Sequence, residues 1–160
     1  MTDPIVVAGI GNIFLGDDGF GSEVARQVKS PAHDVRVVDY GIRGMHLAYD
    51  LLDGCAALVL IDALPLREIP GTLHVFEADH DSLGPAAGVD AHAMDPASLF
   101  ASLGALGGTP PHTIVVGCEV ADLTEGIGLS PPVAAAVPGA VSAVDDVLAS
   151  LLAARQARAG

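Results

Sequence analysis

Two aspartates and a histidine stand in this sequence where they could share one ion. Asp18 lies in GIGNIFLGDDGFG, which begins at Gly9; Asp62 closes the apolar run ALVLID; His92 lies in VDAHAMD. Two carboxylates and one imidazole suit a divalent transition metal and leave coordination positions open for water or substrate. The same carboxylates could instead serve as general bases. Each residue alone has a plainer explanation. Asp17 and Asp18 would favour a helix N-terminus through its dipole, Asp62 could cap the next element, and His92 could be a solvated loop residue. Chemistry therefore depends on elements that bring the three together.

The pattern supplies such elements. Residues 5–9, IVVAG, form a continuous apolar run of the kind buried on both faces of a sheet. FGSEVARQV then has helical spacing, VRVVD reads as a second strand, and MHLAYDLL as a short helix that Gly54 is placed to end. ALVLID is the third strand and TLHVFEA an alternating, edge-like fourth. DPASLFASLGAL reads as a helix with Asp95 as N-cap and Pro96 at its first position, and TIVVGCE as the last buried strand. Ser130 and Pro131 open a final helix running to about residue 158, with a kink expected at Pro138. Strands alternating with helices predict an α/β fold, with a largely parallel sheet and helices on both faces in one three-layer domain over residues 1–160. In such sheets the ligand crevice lies beyond the carboxyl ends of the strands, where Asp18 and Asp62 fall.

Composition narrows the function classes. The 160 residues carry 20 acidic against 7 basic side chains, a formal charge of −13, which opposes binding to nucleic acid or an anionic membrane. No unbroken apolar run of about 18 residues suggests a membrane span, and the N-terminus lacks the basic region of a signal peptide. A cytoplasmic protein with Cys55 and Cys118 as free thiols is expected.

Other sites are weaker. Gly9 and Gly11 begin a dinucleotide fingerprint, and Asp39 ends strand two where a ribose-binding acid would sit. Phe14 occupies the third glycine position, however, and Asp17 and Asp18 would repel a pyrophosphate. A Rossmann-like nucleotide-binding module stays open as an alternative. Glu77, Asp79, His80 and Asp81 read as a solvated loop, His46 as a reserve ligand, and Cys118 as a packed strand residue. No G-x-S-x-G elbow and no D-T-G or D-S-G pair is present.

In their order along the chain, GIGNIFLGDDGFG, DYGIRGMHLAYDLL, LVLIDAL, PGTLHVFE, DAHAMD and GIGLSPPV resemble the hydrogenase maturation endopeptidases. That resemblance implies one α/β domain with a twisted, mainly parallel sheet. It implies an enzyme that removes the C-terminal extension of a nickel-loaded nickel–iron hydrogenase large-subunit precursor. Asp18, Asp62 and His92 would be its catalytic, nickel-contacting residues, with nickel, or another divalent metal in its place, carried by the precursor. Many family members have Glu at the first position, so Asp18 reaches one methylene less far. Where they often carry DGGT for substrate recognition, this chain has Asp39, Tyr40, Gly41, Ile42, Arg43 and Gly44. The replacements suggest a different hydrogenase partner, with Arg43 placed to grip a carboxylate or carbonyl. A monomer is expected. A non-catalytic nickel chaperone for hydrogenase assembly is the second alternative, disfavoured by the lack of a His- or Cys-rich tract.

Overall fold

Branched aliphatic side chains build the centre of the sheet. The computed structural model describes residues 2–78 and 96–159. Strands β1 (Ile5–Ile10), β2 (Val35–Gly41), β3 (Ala57–Leu64), β4 (Leu73–Glu77) and β5 (His112–Glu119) form one sheet in the order β2-β1-β3-β5-β4. β1 is buried along its whole length and β3 over its first six residues, as expected of unbroken apolar runs covered from both sides. The β2–β1, β1–β3 and β3–β5 pairs are parallel, and only β4 runs antiparallel, on β5. β4 is an edge strand whose Val75 and Phe76 are exposed.

Helices α1 (Phe20–Gln27), α2 (Gly44–Leu52), α3 (Pro96–Ala105) and α4 (Pro131–Ala159) cover both faces. On one face Phe20 and Val24 of α1 and Val137, Val144 and Leu148 of α4 pack over Val7, Val59, Ile61 and Val116. On the other, Leu47 and Leu51 of α2 and Leu99 and Leu103 of α3 cover Ala8, Leu58, Leu60 and Val115. The result is the single three-layer α/β domain anticipated from the pattern.

Two local features were legible in advance. Gly54 follows α2 at φ +116° and donates its N–H to the carbonyl of Leu51, closing the helix in a conformation that L side chains rarely adopt. Helix α4 begins after Ser130 as expected and runs unbroken with Pro138 inside it, on an exposed face. By length and composition, Pro131–Arg158 is apolar enough to cross a membrane, with a mean hydropathy of 1.5, although the sequence has no unbroken apolar run of that length. One stripe of this helix, Val133, Val137, Ala140, Val144 and Leu148, is spent on the core.

Candidate active site

Two of the three proposed site residues lie toward the carboxyl edge of the sheet: Asp18 in the turn that follows β1, and Asp62 inside β3, which runs two residues past the strand end expected there. β1 ends at Ile10, and the chain turns through residues 11–15 into a 3-10 turn (Gly16–Gly19) that leads directly into α1. Glycine makes this path possible. A Cβ at Gly21 would collide with the carbonyl oxygens of both Ile10 and Ile61, so α1 starts pressed against the ends of β1 and β3. A Cβ at Gly11 would strike the carbonyl of Asp18. The glycines read as the start of a phosphate loop thus serve close backbone packing.

Asp18 is half-buried, and its Oδ2 accepts the N–H of Asn12 at 2.7 Å, tying the carboxylate back to the end of β1. Among the described residues no hydrogen bond reaches its Oδ1. Asp62 is 4% exposed and follows Ile61, the residue of β3 in register with Gly9. Since strand side chains alternate, Asp62 shares the face of Leu58 and Leu60, the side covered by α2 and α3. Burying a carboxylate next to an apolar strand is costly unless it is engaged, and Asp62 is engaged. His92 lies outside the described residues, as do Asp79, His80 and Asp81. Among the described residues no three His, Cys, Asp or Glu side chains are grouped to hold a metal.

The acidic doublet divides its labour. Both aspartates were expected at the entrance of α1, but Asp17 addresses a different helix. It is fully buried and accepts the N–H groups of Ala121 and Asp122, each at 2.8 Å, and the N–H and hydroxyl of Ser130, at 2.7 and 2.8 Å. Its own N–H donates to the carbonyl of Asp122, Gly16 donates to the carbonyl of Gly126, and Gly126 donates to that of Phe14. Asp17 therefore fastens the 3-10 turn to the β5–α4 connection and to the N-terminus of α4, where the helix dipole favours a negative charge. Burial acts to raise its carboxyl, but the bonds from Ser130, Ala121 and Asp122 outweigh it and hold it below the usual aspartate range. This role was missed from sequence; the Ser130–Pro131 helix start was its only visible half.

The turn after β2 forms a cleft with the loop that follows β1. A cleft of about 400 Å³ is lined by Gly11, Asn12, Phe14 and Ser22 on one side and Asp39 through Arg43 on the other. The β1–β2 register slips between Gly9 and Ile10, which sets Gly41 rather than Tyr40 opposite Ile10. Gly41 has φ +58°, and its carbonyl accepts the N–H of Gly11 at 3.0 Å. The buried hydroxyl of Ser22 donates to Asp39 Oδ1 at 2.6 Å and fixes that carboxylate.

Tyr40 is 1% exposed and donates its hydroxyl to Asp50 at 2.6 Å, so its side chain anchors the turn in the core instead of presenting surface. Arg43 stays exposed, with its guanidinium folded back on the turn: Nε donates to the carbonyl of Tyr40 at 3.1 Å and a terminal nitrogen to that of Asp39 at 2.7 Å. Gly44 is buried at the start of α2. Ile42, by contrast, is 70% exposed at the cleft rim with Phe14. His46, the reserve ligand, instead sits near Asp50 and edge-on to the Tyr40 ring. Burial pushes the Cys118 thiol up to about 11, which fits a packed residue and not a nucleophile.

Residues 21–147 match the HycI hydrogenase maturation protease family. The hydrogenase expression/formation protein HupD of Bradyrhizobium diazoefficiens is 30% identical over 151 residues, covering 91% of this chain and 78% of that protein. The hydrogenase 2 maturation protease of Escherichia coli is 26% identical, over 92% of this chain and 90% of that one. Among solved structures, the E. coli hydrogenase maturating endopeptidase HybD superposes with a TM-score of 0.76 at 27% identity, covering 94% of this chain and 93% of its own. A five-stranded, mainly parallel sheet with two acids at its carboxyl edge, and a family match spanning most of the chain, lead to one conclusion: this chain belongs to the hydrogenase maturation protease family.

Proposed function

We propose that this protein is the endopeptidase that removes the C-terminal extension from a nickel-loaded nickel–iron hydrogenase large-subunit precursor, acting in the cytoplasm as a monomer. The observation that supports this most directly is the placement of Asp18, in the turn after β1, and Asp62, near the carboxyl end of the adjacent strand β3, in a chain of this family. In this reading Asp18, Asp62 and His92 meet the nickel that the precursor carries. Two carboxylates and an imidazole are a suitable donor set for that ion, which is part of the substrate and marks it as ready.

Peptide hydrolysis then needs a water deprotonated as it attacks the scissile carbonyl carbon, and a proton delivered to the departing amine. One of the two carboxylates takes the first proton and returns it to the nitrogen, leaving a new carboxylate on the mature subunit and a new amine on the extension. Asp39, held by Ser22, and Ile42 on the cleft rim contact the folded precursor, while Tyr40, Gly41, Arg43 and Gly44 shape the turn that presents them.

The test is incubation with nickel-loaded precursor, followed by mass measurement of the large subunit. Loss of the extension from loaded precursor, and its retention in metal-free precursor with a chelator, is the expected result. Efficient cleavage of the metal-free form would defeat nickel-dependent recognition. Cleavage of neither form would defeat the protease reading for this substrate.

A further inference from the structure

The row of residues that contains Asp62 continues across the sheet. Asp62 is in register with Gly117 of β5, and Gly117 with His74 of β4. Asp62 and His74 therefore project from the same face, two strand spacings or about 10 Å apart. Gly117 between them adds no side chain, and Leu64 lies over it: a Cβ at Gly117 would collide with the Leu64 isobutyl group. Beyond Leu64 opens a cleft of about 290 Å³, lined by Leu64, Pro65, Arg67, His74, Phe76 and Glu119.

The walls of this cleft are fixed from beneath. Glu119 is 3% exposed; its Oε1 accepts the N–H groups of Arg67 and Glu68, at 2.7 and 2.8 Å, and its Oε2 meets Nε2 of His74 at 2.7 Å. One buried carboxylate in the cleft wall thus holds both the loop after β3 and the imidazole, and its two oxygens are engaged by these three partners. Beside the engaged pair of Glu119 and His74, the cleft presents apolar surface from Leu64, Pro65 and Phe76 and the exposed side chain of Arg67, which forms no ion pair with a carboxylate among the described residues. In a chain with 7 basic against 20 acidic residues, such a lining complements a ligand that is apolar and carries an anionic group.

An endopeptidase holds its substrate on both sides of the scissile bond. In the reading proposed above, a polypeptide cut at Asp62 runs along the carboxyl edge of the sheet, between the β1–β2 cleft and the β5–β4 cleft, which flank Asp62 without including it. The first is the larger and is rimmed by exposed Phe14 and Ile42, which suits a folded protein surface. We propose that the second is a subsite for the extension, taking an apolar side chain in the pocket of Leu64, Pro65 and Phe76 and a nearby carboxylate at Arg67. This rests on the reading of Asp62 as a residue of the cleavage site.

The test uses the full-length protein, nickel-loaded precursor, and a synthetic peptide with the sequence of the released extension. Arg67→Ala and Phe76→Ala should each raise KM about tenfold with kcat nearly unchanged, the mark of lost binding that ground state and transition state share. Both should weaken peptide binding in calorimetry by a similar factor. Asp62→Asn should cleave nothing yet bind the peptide as the parent does. Two further peptides, one amidated at its C-terminus and one with its acidic side chains amidated, identify which carboxylate meets Arg67; undiminished binding of both would overturn that contact. Parental KM and peptide binding in both Arg67→Ala and Phe76→Ala, with Asp62→Asn inactive, would overturn the subsite and leave the site reading intact. Continued cleavage by Asp62→Asn would overturn the site reading itself.

Discussion

The carboxylate of Asp17 accepts both the backbone N–H and the hydroxyl of Ser130, 113 residues away along the chain. This contact joins the turn that carries Asp18 to the first turn of the longest helix. It makes Asp17 a structural partner of the site, although it neighbours the proposed catalytic acid in sequence. Asp17→Ala leaves the N–H groups of Ala121, Asp122 and Ser130 without their acceptor, and should cost about 2–4 kcal/mol in denaturant unfolding. Ser130→Ala removes only the hydroxyl bond and should cost about 1 kcal/mol. Equal costs for the two would mean that Asp17 does not clasp three separate groups.

Acid should release two such clasps. The carboxyl of Glu119 is held down at about 2 by the N–H of Glu68, by His74 and by the N–H of Arg67, and that of Asp17 is also lowered. Groups with depressed folded-state values stabilise fully above the ordinary carboxyl range, about 3.9–4.3, and lose that contribution as pH falls through the folded values. Stability should therefore drop between about pH 4 and pH 2. Glu119→Gln should be less stable than the parent at pH 7, and the gap should close as pH falls toward 2. Denaturant midpoints measured across that range would show it; a gap of constant size would deny the lowered Glu119.

Arg43 separates two meanings of the β2–α2 turn. Its guanidinium bonds to the carbonyls of Tyr40 and Asp39, a two-point brace that a single ammonium reproduces poorly. Arg43→Lys should then impair precursor docking nearly as much as Arg43→Ala, raising KM several-fold with kcat retained. Recovery of parental KM in Arg43→Lys would show instead that the positive charge itself contacts the substrate.

The proposed catalytic residues should fail without unfolding. Asp18→Asn, Asp62→Asn and His92→Ala should each lower processing at least about a hundredfold, the scale of a lost acid–base group. Their thermal midpoints should stay within about 4 °C of the parent. A variant that retains processing would remove that residue from the site.

The order of elements, the parallel core and the position of the crevice all follow from the sequence, because unbroken apolar runs such as IVVAG and ALVLI can be satisfied only inside a covered sheet. The helix ends at Gly54 and Ser130 follow as well, since they are local preferences of the backbone. The sequence also marks Asp18 and Asp62 as strand-end acids. It does not tell the two members of the doublet apart. Whether Asp17 or Asp18 faces the crevice depends on the pitch of a 3-10 turn and on donors at residues 121, 122 and 130, distant in the chain. Likewise, Tyr40 and Arg43 look like recognition residues in the chain, but folding turns the phenol onto Asp50 and the guanidinium onto backbone carbonyls. The same is true of the Asp62–Gly117–His74 row, which exists only through strand register. Periodicity assigns a side chain to a face; which partner it meets there is decided only when separate segments pack together.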